Sequence, residues 1–140
     1  MRGEGQQPLA ILLIEDNPGD VELIQRALER ACPPCRLRVC GDGDAALAEL
    51  LDGPRPDLVL LDLNLPGADG WEVLRRIKRD ERLGAVPVVV LSSSDAEADV
   101  SGAYRLHASA YMVKPPSLDQ FSAAMLALAE YWGHTVRLPR

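Results

Sequence analysis

The stretch that decides the fold is residues 58–62, which read LVLLD and place a carboxylate at the end of an uninterrupted apolar run. Further apolar runs occupy Leu9–Ile14, Val86–Leu91 and, less strongly, Ala108–Val113, whereas Arg36–Cys40 alternates polar and apolar residues. Continuous apolar runs of this length are typical of strands that are buried on both faces of a parallel sheet. The pattern therefore predicts three central strands (the first, third and fourth) and two edge strands.

Helical periodicity follows each of these strands. It is clearest near the C-terminus, where Phe121, Ala124, Met125, Leu128 and Trp132 recur on one helix face. Strict alternation of strands and helices predicts an α/β protein with a parallel sheet and helices on both faces. With the second and fifth strands at the edges, we expect a flavodoxin-like, doubly wound (βα)5 fold with strand order 2-1-3-4-5.

Three tetrads mark predicted helix starts. Asp69–Glu72, Ser94–Glu97 and Ser117–Gln120 each place a potential capping side chain three residues before Glu or Gln. Such a side chain satisfies a backbone N–H group of the first helical turn. The third, fourth and fifth helices are therefore predicted to begin at these tetrads.

Composition restricts the class of protein. The chain has 140 residues, 47% of them hydrophobic, with 15 Lys+Arg against 21 Asp+Glu and a net charge of −6. This predicts one folded domain (9–132) with a short N-terminal extension (1–8) and a C-terminal tail (133–140). The acidic balance argues against nucleic acid and anionic membranes as partners. With neither a membrane-spanning run nor a signal peptide, the expected location is the cytoplasm.

The three cysteines do not define a function. Cys32 and Cys35 have the CxxC spacing of a redox pair, but they follow a predicted helix, whereas redox pairs start one. With Cys40 the count is odd, which does not suit a disulfide scaffold, and His107 and His134 do not complete a zinc site. Buried or loop cysteines are the favoured interpretation, and their role stays open.

Chemically active side chains follow the predicted strands. Glu15-Asp16 comes after the first, Asp62 ends the third, and Ser92 and Lys114 follow the fourth and fifth. The carboxyl ends of parallel strands meet at one edge, where ligands bind in open α/β sheets. Carboxylates about 4 Å apart repel by about 4 kcal/mol per pair in a surface-like dielectric. A cation is expected to offset that repulsion, and oxygen ligands favour Mg²⁺.

This set of residues predicts phosphoryl transfer. An aspartate beside Mg²⁺ and a lysine can attack a phosphoryl donor and form an acyl phosphate. Lys114 can bind a developing phosphoryl oxygen, and the Ser92 hydroxyl can donate a hydrogen bond to the same group. Asp62, Lys114 and Ser92 are therefore the predicted catalytic residues.

The sequence resembles the receiver domain of two-component response regulators, of the single-domain, chemotaxis-regulator type, over roughly residues 9–131. The resemblance is carried by Glu15-Asp16, by 62–70 (DLNLPGADG), by Ser92 and by 111–115 (YMVKP). These motifs occur in order over most of the chain, and together they are far more specific than any one of them.

The resemblance implies a role for each matching residue. Asp62 would accept a phosphoryl group from a histidine kinase. Asp16 and Asp62 would bind Mg²⁺ directly, Asn64 would bind it through its backbone carbonyl, and Glu15 would do so through water. Lys114 would pair with Asp62 and then with the phosphoryl group.

The resemblance also implies a conformational switch. The hydroxyl at Ser92 would move toward the phosphoryl group and Tyr111 would rotate inward, which changes the face made by the fourth helix, fifth strand and fifth helix. The helix expected to start near Asp95 has a thin apolar face that Gly102 interrupts. Its packing is therefore expected to rearrange easily.

The C-terminal residues 131–139 and the turn 16–20 (DNPGD) are similar to small regulators associated with bacterial phytochromes. This implies a stand-alone regulator that serves a phytochrome-type histidine kinase and an unidentified downstream protein. Members of that subgroup commonly dimerise, so Tyr131 and Trp132 are candidates for a homodimer contact. A tail folded back over the last helix is an equal alternative.

The predicted function is thus a phosphoacceptor switch and not an enzyme that turns over a substrate. Three other functions are alternatives. A phosphohydrolase of the haloacid dehalogenase type also uses an aspartate nucleophile, but it follows the first strand and has a second aspartate where this chain has Asn64. A flavodoxin-type FMN carrier needs a Ser/Thr/Gly-rich loop that is missing after the first strand. A receiver-shaped binding module without phosphorylation is disfavoured because the essential residues are present.

Overall fold

Five short strands form one parallel sheet in the computed structural model, which describes residues 8–31 and 34–139. The strands are β1 (Leu9–Ile14), β2 (Cys35–Cys40), β3 (Leu58–Asp62), β4 (Val88–Ser92) and β5 (Ala110–Val113). Their order is β2-β1-β3-β4-β5 and all neighbours are parallel. The predicted flavodoxin-like class and strand order are therefore confirmed.

Burial follows the predicted division into central and edge strands. β3 and β4 are buried at every residue and β1 at every residue except Ala10, whereas β2 and β5 contain no fully buried residue. A central strand lies between helices on both faces and needs apolar side chains in both directions. The continuous apolar runs in the sequence therefore correspond to strands that are buried on both faces.

Five helices and one terminal turn complete the described chain. They are α1 (Pro18–Glu29), α2 (Gly43–Asp52), α3 (Gly70–Arg79), α4 (Glu97–Arg105), α5 (Leu118–Glu130) and a π-helical turn, Tyr131–Thr135. Side chains of Asn17, Asp42, Asp69 and Ser117 cap α1, α2, α3 and α5 by accepting a backbone N–H. The predicted caps at Asp69 and Ser117 are confirmed.

The predicted cap at Ser94 is wrong. The N-terminal flanking residue of α4 is Ala96, which offers no side-chain cap, and the helix begins at Glu97. Ser94 Oγ instead accepts a hydrogen bond from the Ala96 amide (3.2 Å) and donates one to Asp99 Oδ2 (2.7 Å). The hydroxyl therefore closes a turn before the helix rather than its first helical turn.

Alternating side chains along the strands build a hydrophobic core on each face of the sheet. The core under α2, α3 and α4 takes Leu12, Ile14, Val59, Leu61, Val88 and Val90 from the strands. The core under α1 and α5 takes Leu9, Ile11, Leu13, Leu58, Leu60, Val89 and Leu91. Each buried Leu, Ile or Val side chain contributes about 1.5–3 kcal/mol relative to an exposed one. The two cores fix the sheet and leave its carboxyl edge open.

Residues at the C-terminus pack back onto the body of the protein. Trp132 and Leu138 are half-buried against the core under α1 and α5, while Tyr131 is half exposed beside Trp132. The edge of one ring faces the plane of the other at a centroid distance of 5.3 Å. The tail therefore folds back in part over the last helix, as one of the two alternatives predicts, whereas a dimer contact at Tyr131 stays a prediction.

The CxxC spacing, for which a redox role is disfavoured, cannot be placed as a whole, because Cys32 and Pro33 lie outside the described residues. Cys35 begins β2 and Cys40 ends it. Burial raises the pKa of the Cys40 thiol, which disfavours the nucleophilic thiolate. Among the described residues, no helix is both long and apolar enough to cross a membrane.

The turn after α4 yields a stability prediction. His107 has a φ of 70°, the only positive φ at a non-glycine position among the described residues, and its amide donates to Tyr104 O (2.9 Å). Glycine is favoured at such a position because a Cβ is strained there. We expect His107→Gly to raise the free energy of unfolding by about 0.5–1 kcal/mol.

Urea unfolding of the purified protein measures this effect. The matched control is Arg105→Gly, which places the same residue at the last position of α4, where φ is not positive, and is expected to lower stability by up to about 1 kcal/mol. A His107→Gly protein that is less stable than the parent would contradict the assignment of strain to this turn.

Candidate functional site

Polar residues at or just after the ends of four strands lie at the carboxyl edge of the sheet. Glu15 directly follows β1, Asp62 ends β3, Ser92 ends β4, and Lys114 directly follows β5. The backbone amide of Lys114 donates to Ser92 O at 2.7 Å, which continues the β4–β5 pairing to this edge. Glu15, Asp62 and Ser92 are almost fully buried. The structure therefore brings together the residues that the sequence placed at the strand ends.

The Lys114 ammonium is the centre of the site. Its Nζ lies 2.7 Å from Glu15 Oε1, 2.9 Å from Asp20 Oδ2 and 3.3 Å from Asp62 Oδ2. An ammonium has three N–H donors, so three carboxylates use its whole hydrogen-bonding capacity. The lysine thereby connects the ends of β1 and β3 with the first turn of α1.

Asp20 was missed as a site residue. The sequence assigned it only to a turn, because Asn17-Pro18-Gly19-Asp20 has the composition of a turn and helix start. The signal that could have found it is its place in the first turn of a helix that starts at the same edge as the carboxylates.

Glu15 and Lys114 influence each other's charge state. Burial raises the pKa of Glu15 to about 7, and a hydrogen bond with Asp62 acts in the same direction, while Lys114 opposes the shift. Burial alone would lower the pKa of Lys114. Hydrogen bonds to Glu15 and Asp20, and the charges of Glu15 and Asp62, outweigh burial and raise it. Lys114 therefore stays positively charged, whereas Glu15 binds a proton more readily than an ordinary glutamate even beside this ammonium.

Asp62 is held in place from two sides. Its Oδ1 accepts a hydrogen bond from the Asn64 amide (3.0 Å), while its Oδ2 faces Lys114. At the start of α3, a Cβ on Gly70 would lie 2.4 Å from Leu63 Cα and 2.6 Å from the Asp62 carbonyl oxygen. Only glycine lets α3 begin so close to the end of β3.

The acidic side chains suit a hard cation. Glu15, Asp16 and Asp62 each offer a carboxylate oxygen, and these oxygens all lie within 4.8 Å of one another. Mg²⁺ binds oxygen at about 2.0–2.1 Å in an octahedron, so opposite ligands lie about 4.2 Å apart. Asp16 is exposed and leaves the cluster open to water, which Mg²⁺ retains as ligand. The residues present therefore fit this ion.

Ser92 and Tyr111 meet through the loop after β4. Ser92 Oγ accepts a hydrogen bond from the Ser94 amide (3.1 Å), and the Tyr111 hydroxyl donates to the Ser94 carbonyl oxygen (2.9 Å). The Tyr111 amide in turn donates to the Tyr104 hydroxyl on α4 (3.2 Å). Movement of the loop at Ser94 therefore affects β4, α4 and β5 together.

Comparisons with known proteins agree on one family. The family model for the response regulator receiver domain matches residues 11–126. Response regulator Rcp1 of Synechocystis sp. is 40% identical, with 99% of each chain covered. The probable methanogenesis regulatory protein FilR2 of Methanothrix harundinacea is 45% identical over 92% of this chain and 86% of its own length.

Solved structures give the same result. The phosphorylated cyanobacterial phytochrome response regulator RcpA is 41% identical, with a TM-score of 0.91 over 96% of this chain and 100% of its own. The Mn²⁺-bound form of Rcp1 has a TM-score of 0.90 at 40% identity and covers 95% of this chain and 100% of its own. These structures share both the fold and the length of the chain.

The carboxylate cluster predicts a metal-dependent gain in stability. We expect Mg²⁺ at about ten times its Kd to raise the free energy of unfolding by about 1.4 kcal/mol, because the ion binds only the folded site. That corresponds to a rise in Tm of about 3–6 °C for a domain of this size. Thermal melts with and without MgCl₂ measure it.

The variant Asp16→Asn removes one ligand and is expected to lose most of this shift. Asp52→Asn, which neutralises an exposed residue at the end of α2, is expected to keep it. Equal shifts in both variants would place the ion elsewhere.

Proposed function

The chain belongs to the response regulator receiver family, and on that premise we propose that Asp62 accepts a phosphoryl group from a histidine kinase. The observation that carries the proposal is the ion pair of Lys114 with Asp62, a carboxylate buried at the end of β3 beside two further acids. The protein would act as a switch, since its product is its own modified form.

The transfer moves a phosphoryl group from nitrogen to oxygen. A carboxylate oxygen of Asp62 attacks the phosphorus of phosphohistidine, the new P–O bond forms and the P–N bond breaks. The electron pair of that bond stays on the imidazole, which takes up a proton. Lys114 offsets negative charge on the phosphoryl oxygens. Hydrolysis of the acyl phosphate later restores Asp62 and releases inorganic phosphate.

The proposal includes a Mg²⁺ requirement. Asp16, Asp62 and the backbone carbonyl of Asn64 would hold the ion directly, and Glu15 would hold it through water. When bound, it would supply positive charge beside the phosphoryl oxygens. The carboxylates themselves exclude close approach of an anionic donor until their charge is offset, so their repulsion makes phosphorylation conditional on a cation.

Signalling would proceed from Ser92 to the α4–β5–α5 face. Ser92 Oγ accepts a hydrogen bond from the Ser94 amide, so movement of this hydroxyl toward a phosphoryl oxygen would either break that contact or carry the loop along. Tyr111 bonds to the carbonyl of that same Ser94, so loop and ring would move together. The switch is favoured by the packing of α4, in which Ala103 is the one buried residue. Phosphorylation, which adds a charge of about −1.5 to −2, would select the rearranged state.

The proposed donor is a phytochrome-type histidine kinase. It is supported by the likeness to the phytochrome response regulators Rcp1 and RcpA over almost the whole chain. FilR2, whose name refers to methanogenesis, resembles this chain to a similar degree as Rcp1 does, so a phosphotransfer experiment has to identify the kinase. We also propose a homodimer that uses the exposed ring of Tyr131. An unidentified downstream protein would be a further partner.

Phosphotransfer from an autophosphorylated phytochrome-type kinase tests the function. With Mg²⁺ we expect radiolabel to move from the kinase to the wild type and to the control Asp52→Asn, but not to Asp62→Asn, which lacks the nucleophilic carboxylate. EDTA is expected to stop the transfer.

Label on Asp62→Asn equal to that on the wild type would contradict the proposal. Transfer only from kinases of other classes would refute the phytochrome assignment alone. Steady turnover of phosphomonoesters by the wild type would instead identify a phosphohydrolase.

A further inference from the structure

Asp20 pairs with the site lysine but belongs to neither the strand ends nor the acidic cluster. Its carboxylate lies 2.9 Å from Lys114 Nζ, closer than Asp62 at 3.3 Å. Among the described residues, the ion pair of Asp20 is with Lys114, and the three carboxylates that converge on a cation position do not include it. Its effect on the site therefore acts through the lysine.

A phosphoryl group on Asp62 would compete for the donors of Lys114. All three donors already face carboxylates, and the donor that faces Asp62 Oδ2 would turn to the phosphoryl group on that same residue. A second phosphoryl oxygen can be bound only if the lysine gives up Glu15 or Asp20. The Glu15 side chain is 0% exposed, so bulk water cannot replace the lysine there if that bond is lost. The Asp20 side chain is 27% exposed, so water can replace the lysine there at lower cost.

We propose that Asp20 is a positioning residue and the exchangeable partner of Lys114. In the unphosphorylated protein it restrains the ammonium, and on phosphorylation the lysine exchanges Asp20 for a phosphoryl oxygen while it keeps Glu15. Asp20 thereby opposes phosphorylation by stabilising the state that precedes it. This inference rests on the proposed function of Asp62.

A role for Asp20 in helix stability alone is the competing interpretation. An acidic residue in the first turn stabilises a helix through its dipole, and Asp20 is in the first turn of α1. That interaction involves the helix backbone and predicts no change in how the lysine binds an anion. The two interpretations are therefore separated by anion affinity and not by stability.

Beryllofluoride, an anion with the shape and charge of a bound phosphoryl group, is the probe. Its Kd is measured by ¹⁹F NMR at saturating Mg²⁺, with the full chain at a temperature where melts show every variant folded. Asp20→Asn is expected to bind it about threefold to tenfold more tightly, because only the free protein loses an ion pair. The control is Asp119→Asn, since Asp119 lines the same surface depression as Asp20 and does not pair with the lysine.

The ¹⁵N resonance of the Lys114 side chain gives a second readout. We expect it to differ between wild type and Asp20→Asn in the free proteins and to coincide in the beryllofluoride complexes. Unchanged or weaker binding by Asp20→Asn would overturn the inference, as would equal tightening in Asp119→Asn, which indicates a general charge effect. If the wild type does not bind beryllofluoride, the proposed function itself is refuted. That result needs no variant and is therefore distinguishable from failure of the inference about Asp20.

Discussion

The site depends on one ammonium group that faces more carboxylates than it can neutralise. Lys114 bonds to Glu15, Asp20 and Asp62, and the exposed Asp16 adds a fourth acid beside them. Burial of Glu15 disfavours its ionised form, which is why the pKa of Glu15 rises to about 7. This excess of carboxylates is the physical reason for the cation site that we propose, and the proposed phosphoryl transfer depends on that cation.

The fold tolerates the repulsion between these carboxylates because several well-packed strands hold the charged residues in place. β1, β3 and β4 anchor their buried residues in two cores, and the polar residues at or just after their ends lie at the open edge. The Lys114 amide is bonded to Ser92 and Asp62 to the Asn64 amide, so the backbone determines where the charges lie. Strong packing on both faces thus compensates for repulsion at one edge.

Much of this could be predicted from sequence because it depends on short-range patterns. The apolar runs predicted which strands are buried on both faces, and therefore the strand order. The strand order in turn predicted that Glu15, Asp62 and Lys114 lie close together. Asp20 escaped notice because its contact depends on how α1 leaves β1, which no local pattern records. The cap at Ser94 was wrong because a capping tetrad does not reveal that its hydroxyl has nearer partners in the turn.

The most direct measurement of the central claim is to locate the phosphoryl group chemically. After phosphorylation with acetyl phosphate and Mg²⁺, borohydride reduces an aspartyl phosphate to homoserine, and peptide mass spectrometry then identifies the residue. The account predicts homoserine at position 62 alone. Reduction at Glu15 or Asp16, or an unmodified Asp62 in protein shown to be phosphorylated, would contradict it.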